Sequence, residues 1–187
     1  HVSIGQGYLL TTPLQVNFWT NIVANGGKLC KPTIRKPLLS FLGQSQTACT
    51  DVGVSPETVD VVMEGMKEAC SAGGTGYPLF GFGLRKTAQG NLVPSDASSS
   101  GTLIPIPIAC KTGTAEYGDS ANKTHAWFTA FGPIPTRIAD GGNALQDSTA
   151  ITGDPQISVT VLLEESGEGS DKAAPIAKKI FETWFMR

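Results

Sequence analysis

Apolar positions recur at helical spacing in three stretches of the chain and at strand spacing, or as short runs, in several others. The first helical pattern follows Thr12, a good N-cap; Pro13 suits the first helical position and Gln15 completes a capping box. Leu14, Phe18, Ile22 and Val23 then share one face, and Asn25-Gly26-Gly27 stops the helix. A second start, Ser55-Pro56-Glu57, opens a helix with the stripe Val59, Val62, Met63, Met66, Ala69 and Cys70, ended by Gly73-Gly74-Thr75-Gly76. The last predicted helix is capped by Asp171 and carries Ile176, Ile180, Phe181 and Trp184 on its apolar side.

Strand patterns occupy the remainder. A short one, 28–36, is interrupted by Pro32 and reads as an edge. The stretch 104–117 predicts one strand, its early part confined to an edge by Pro105 and Pro107. Residues 127–131 centre the next, and 157–164, rich in β-branched side chains, is the cleanest. Residues 77–103 read as an irregular excursion, mobile over 95–101, and the Gly/Pro/Asp-rich stretch 132–156 as an exposed loop. Strands that follow one another without an intervening helix favour antiparallel pairing. The expected class is α/β or α+β, with helices packed on an antiparallel sheet.

Composition narrows the function. The 187 residues suit one domain, and 40% hydrophobic residues suffice for a core. Lys and Arg number 14 against 16 Asp and Glu, so no basic field points to nucleic acid. No apolar run approaches the roughly 18 residues of a membrane span. The 4 cysteines, at 30, 49, 70 and 110, form no Cys-x-x-Cys pair, and the only histidines are His1 and His125, so a metal site is not expected. The even cysteine count permits disulfides in any of three connectivities; four buried thiols fit equally well. The chain opens on His1 and reads as the later piece of something longer.

Several motifs carry nothing. Gly73-Gly74-Thr75-Gly76 lacks the Lys of a phosphate loop, and Gly5-x-Gly7 has Leu10 where a dinucleotide fingerprint needs glycine. Both are turn chemistry. Asn122-Lys123-Thr124 fits a glycosylation sequon that arises often by chance, and Glu164-Glu165 reads as a solvated strand end. The informative segment is Lys111-Thr112-Gly113-Thr114. A lysine late in an edge strand offers a fixed positive charge, and Gly113 allows a substrate backbone to approach. Thr112 and Thr114 offer hydroxyl donors for a carboxylate, and exposed backbone N–H groups can polarise a carbonyl.

This segment has company. Ser3-Ile4-Gly5-Gln6-Gly7, Thr12-Pro13-Leu14-Gln15, Ala24-Asn25-Gly26-Gly27, Gly65-Met66, Lys111-Thr112-Gly113-Thr114-Ala115-Glu116, His125-Ala126-Trp127-Phe128 and Ala173-Ala174-Pro175-Ile176-Ala177 follow in order. Together they resemble the C-terminal half of a class B penicillin-binding protein transpeptidase, leaning to the elongation-type branch associated with cell shape. The resemblance implies a β-lactamase-like fold, an antiparallel sheet flanked by helices, of which residues 1–187 would be the C-terminal portion. It implies a serine DD-transpeptidase that cross-links peptidoglycan stem peptides and is acylated by β-lactams. Such an enzyme needs no cofactor, sits on the extracytoplasmic face of the cytoplasmic membrane, and works with the membrane-bound cell-wall synthesis machinery.

By the same resemblance, Lys111 assists proton transfer, and Thr112, Gly113 and Thr114 hold the substrate, with the Thr114 N–H as an oxyanion donor. The family's Ser-x-x-Lys and Ser-x-Asn motifs normally precede the Gly-Gln-Gly segment, so this chain is expected to lack its nucleophile and to be inactive alone. Ser120-Ala121-Asn122-Lys123 satisfies both patterns but falls in a turn after Lys111, the wrong place for a nucleophile. Relatives usually carry Gly where Cys110 stands; on a regular strand it projects opposite Lys111, into packing. His125 is expected to position its strand, Trp127 and Phe128 to pack, and Tyr117 to border the cleft or pack. Without the earlier segments, uncovered apolar surface favours self-association. A DD-carboxypeptidase or β-lactamase, or a binding module without catalysis, remain as alternatives.

Overall fold

The computed structural model describes residues 5–34, 48–96, 100–118, 122–135 and 150–187. Helix α1, Pro13–Ala24, starts as its capping box dictates: Thr12 accepts from the Gln15 N–H while the Gln15 side chain accepts from the Thr12 N–H. Strand β1, Lys28–Cys30, follows and pairs antiparallel with β2, Cys49–Asp51, the pair being bridged by the Cys30–Cys49 disulfide. The 28–36 strand of the sequence reading is therefore shorter, ending before Pro32, and its last residues lie outside the described part. Helix α2, Pro56–Ala69, is capped by Ser55 and buries Val59 and Met63.

The described part of the 77–103 excursion is more regular than its composition predicts, while residues 97–99 of the stretch expected to be mobile lie outside the described part. A 3-10 turn at Tyr77–Leu79 leads to a small antiparallel sheet in the order β4-β3-β5, built from β3 Gly83–Lys86, β4 Leu92–Pro94 and β5 Thr102–Pro105. These strands are too short for periodicity to announce them. The predicted 104–117 strand divides: β5 belongs to this small sheet, while β6, Ala109–Glu116, begins a second one. Pro105 and Pro107 lie at the break, and Ile106, whose N–H bonds Phe82, runs between the two sheets.

The main sheet is β6-β7-β8, fully antiparallel, with β7 Thr124–Gly132 central and β8 Ile157–Leu163 outermost. A π-helical turn, Gly169–Ala173, then leads into α3, Ala174–Phe185, with Pro175 in its first turn. Asp171 lies inside that turn and does not cap α3. The buried side of α3 is Ala174, Ala177, Phe181 and Phe185, while Ile176 and Ile180 face outward. The predicted stripe was rotated because alanines of the Ala-Ala-Pro-Ile-Ala segment, too small to register as apolar anchors, make the closest approach to the sheet.

The two faces of this sheet differ. Cys110, Phe128, Ala130 and Val159 face Phe181 and Phe185 in one core cluster. Ala109, Phe131 and Ile134 face Ala24, Val59 and Met63 in a second. Between this second cluster and the site, α1 docks through polar groups: Asn17 donates to Ser158 and Thr160, and Thr20, Thr129 and Thr160 form a hydroxyl chain. Of the α1 stripe predicted to pack, Val23 joins the second cluster, whereas Leu14 stays 59% exposed. The ends of the 132–156 stretch are also pinned: Ile134 is fully buried, Gly153 donates to the Ile134 carbonyl and Gln156 to that of Gly132. Residues 136–149 of that stretch lie outside the described part.

Candidate active site on strand β6

Among the described residues strand β6 is an open edge of the main sheet, paired with β7 on one side only. In an antiparallel strand the N–H and C=O of one residue point to the same side, alternating along the chain. The Thr114 carbonyl accepts from the Gln6 side chain at 3.0 Å and the Glu116 N–H donates to it at 3.3 Å, so Thr112, Thr114 and Glu116 present their backbones to the open edge. The Thr114 N–H accordingly points away from β7, where an oxyanion donor has to point.

The predicted site residues fall on this one strand. Lys111 is exposed, and its ammonium donates to the carbonyl of Thr112. It shares a face with Thr129, its register partner, and so looks toward the side of the sheet where α1 packs. Thr112 projects to the opposite face, where its hydroxyl lies 2.8 Å from that of Thr75. Gly113 is required by its neighbour: a Cβ there would come within 3.1 Å of the Trp127 Cβ. Its space is thus taken up partly by Trp127, where the sequence argument reserved it for substrate. Gly169 packs on the backbone of the same pair, since a Cβ there would lie 2.0 Å from the Trp127 carbonyl oxygen and 2.6 Å from that of Gly113.

Cys110 behaves as its register requires. It is fully buried and disulfide-bonded to Cys70 at the end of α2. Both disulfides bring together residues far apart in the sequence, and among the described residues no cysteine is free. Of the two cysteine readings left open by spacing, the paired one applies.

The far end of the β6–β7 hairpin holds a second polar group. The Tyr117 ring stacks on His125 with centroids 4.5 Å apart, and the Glu165 N–H donates to His125 Nδ1 at 3.1 Å. With Nδ1 engaged by backbone, His125 ties β7 to the turn after β8, as a positioning residue does. Lys123 pairs with Glu165 at 2.6 Å, and that hydrogen bond, joined by one from Tyr117, holds the Glu165 carboxyl below the usual range. Lys123 is thereby turned toward Glu165; Ser120 and Ala121 of the decoy motif lie outside the described residues, as do Ser3 and Ile4. On the other flank Lys178 hydrogen-bonds Asp96, lowering the Asp96 pKa and raising its own, while Trp127 is half-buried and Phe128 fully buried.

Sequence reasoning assigned no role to the Gln6 side chain. Its amide bonds the edge of β6 as one more peptide unit would. The available signal was a glutamine between two glycines, Gly5 and Gly7, both with positive φ, at 75° and 96°.

Known proteins place this geometry. The family described as penicillin binding protein transpeptidase domain matches residues 1–182, and the chain belongs to that family. Peptidoglycan D,D-transpeptidase MrdA of Haemophilus influenzae is 28% identical over 186 residues, which is 97% of this chain and 25% of that protein. Peptidoglycan D,D-transpeptidase PbpA of Mycobacterium tuberculosis is 27% identical over 191 residues, 96% of this chain and 30% of that one. Among solved structures, penicillin-binding protein PBP2 of Helicobacter pylori, in a complex with MreC, superposes with a TM-score of 0.60 at 26% identity, over 98% of this chain and 27% of that one. Penicillin-binding protein A of M. tuberculosis, as its ceftriaxone acyl-enzyme, gives 0.57 at 26% identity, over 96% and 34%. The chain thus spans about a quarter to a third of the length of these relatives.

Proposed function

We propose that residues 1–187 form the C-terminal portion of one transpeptidase domain and supply the Lys-Thr-Gly side of a peptidoglycan DD-transpeptidase site. The observation that carries this is the strand itself. Lys111-Thr112-Gly113-Thr114 lies on an open sheet edge, its lysine exposed and the Thr114 N–H directed outward. Lys111 acts on the proton traffic of the acylation, Thr112 and Thr114 hold the carboxylate of a stem peptide or β-lactam, and the Thr114 N–H receives the developing oxyanion. Gly113 carries no side chain to stand between substrate and strand, and it makes room for Trp127. The nucleophilic serine and its lysine come from a preceding segment, so the chain alone carries half an oxyanion hole and no nucleophile. The parent protein works on the extracytoplasmic face of the membrane beside the cell-wall synthesis machinery. Among the described residues no helix is long and apolar enough to cross a membrane. Tyr8, Leu10 and Leu14 are exposed, which supports self-association of the chain alone.

Intact-mass measurement after incubation with benzylpenicillin tests this. The isolated chain is expected to take no adduct, and a longer chain that includes Ser-x-x-Lys is expected to take one equivalent. An adduct on the isolated chain at Ser120 would overturn the assignment of the nucleophile to another segment. A longer chain that binds benzylpenicillin reversibly but never acylates would identify a binding module instead.

A further inference from the structure

The turn after α2 does more than end a helix. Cys70 closes α2 and is joined to Cys110, one residue before Lys111. The chain then folds back on itself: the Gly74 N–H donates to Ser71, and the Gly76 N–H to Ala69 at 2.7 Å. Both glycines are needed for that closeness. A Cβ on Gly74 would sit 2.4 Å from the Ala69 carbonyl oxygen, and one on Gly76 would sit 2.6 Å from Cys110 Sγ. The turn is therefore closed on the end of α2 by two backbone hydrogen bonds and held against β6 by a covalent bond and close packing. What it delivers to the strand is the Thr75 hydroxyl, 2.8 Å from that of Thr112.

We infer that Thr75 is a positioning residue for carboxylate recognition, acting through Thr112; this rests on the reading of Thr112 as a carboxylate donor. A threonine hydroxyl has one proton and two lone pairs. When a carboxylate takes the Thr112 proton, the contact with Thr75 survives only if Thr75 donates. The Thr75 hydroxyl then fixes the rotation of the Thr112 hydroxyl and strengthens it as a donor, because hydrogen bonds in a chain polarise one another. The pair is arranged as a relay pointed at an anion, on the same face of β6 as Thr114.

The test uses a longer chain competent for acylation, with benzylpenicillin and its methyl ester as probes. Thr75→Val keeps the shape and removes the hydroxyl; Thr75→Ser restores it. For the acid, Thr75→Val is expected to raise the half-saturating concentration about 3- to 10-fold, with the maximal acylation rate within about twofold. Thr75→Ser is expected to match the parent, and the methyl ester to react alike with all three. A Thr75→Val effect equal for acid and ester, or confined to the maximal rate, would overturn the proposal, as would Thr75→Ser failing to rescue. Thr112→Val separates the two readings. If it leaves the preference for acid over ester intact, Thr112 does not hold the carboxylate. If it abolishes the preference and Thr75→Val leaves it unchanged, Thr112 stands and only the role of Thr75 falls.

Discussion

The two faces of the β6-β7-β8 sheet are made by the same strands, through alternate residues, yet they have opposite chemistry. One face is dry: Phe128, Ala130 and Val159 pack on Phe181 and Phe185, and the Cys70–Cys110 bridge is sealed against it. The other is wet over much of its area, with Lys111, Thr129, Thr160 and Ser158 along it and α1 meeting it through Asn17 and Thr20. A period of two lets one strand serve both purposes, because neighbouring residues never compete for a face. The dry face holds the strand still, with Thr112 and Thr114 projecting on its side beyond the packed core, and the wet face leaves the Lys111 charge available. The two duties can therefore be damaged separately.

The largest expected effect lies on the wet side and is kinetic. In an acylation-competent longer chain, Lys111→Ala should slow acylation by benzylpenicillin about a thousandfold or more. Its melting transition should shift little, since Lys111 is exposed and supports no packing. Unchanged stopped-flow acylation kinetics would remove Lys111 from the mechanism. A large loss of stability would show that the two faces are not independent. Phe128→Ala is the opposite case. It empties a fully buried site on the central strand and should cost about 3–5 kcal/mol in denaturant unfolding. A cost under about 1 kcal/mol would mean that α3 does not seal this face.

How much of this was legible depends on which face a residue serves. The Lys111 segment could be singled out as a candidate because its charge, hydroxyls and glycine sit on four consecutive residues, and the other motifs in order along the chain gave it weight. The capping boxes could be read for the same reason: Thr12 and Gln15 satisfy each other locally. The docking side of α1 could not. Leu14, Phe18 and Ile22 are the apolar choice on that helix, but the sheet opposite carries hydroxyls, and the match was made through Asn17 and Thr20. Such a partner is supplied from β7 and β8, distant in sequence, so local periodicity holds no trace of it. Strands β3 and β4 escaped notice, and β5 was merged with β6, because three or four residues do not establish a period. Thr75 was visible only as turn chemistry until β6 was folded against it.

The disulfides sharpen the comparison. Chain entropy barely separates them: closing loops with separations of 40 and 19 residues differs by only about 0.7 kcal/mol. Their surroundings differ more, since Cys110 is fully buried in the dry core whereas Cys49 is exposed. Replacing Cys70 and Cys110 by Ala should cost about 5 kcal/mol, because a cavity adds to the lost constraint. The same change at Cys30 and Cys49 should cost about 3 kcal/mol or less, and only the first pair should weaken recognition of the β-lactam carboxylate. Equal costs with equal loss of recognition would erase the distinction between a bridge that positions the site and one that only closes a hairpin.

The smallest effect probes the wet face itself. Asn17 donates to Thr160; Thr160, Thr129 and Thr20 are linked hydroxyl to hydroxyl at 2.7 Å; and Thr20 donates to the Val16 carbonyl. Since the Thr20 proton is committed to Val16, Thr20 must accept from Thr129, and Thr129 in turn from Thr160. The chain thus has a single direction. Thr129→Val removes its middle member without changing its shape, and strands the Thr160 proton in a half-buried place, at about 1 kcal/mol. Removing the stranded donor as well, in Thr129→Val with Thr160→Val, relieves that proton but leaves unpaired the Asn17 N–H that Thr160 accepted, so the double change should cost less than the sum of the two single changes. Unfolding measurements on both single variants and the double variant give the coupling directly. Strictly additive losses would show that the hydroxyls act separately, and that α1 is held to the sheet by something other than this directed chain.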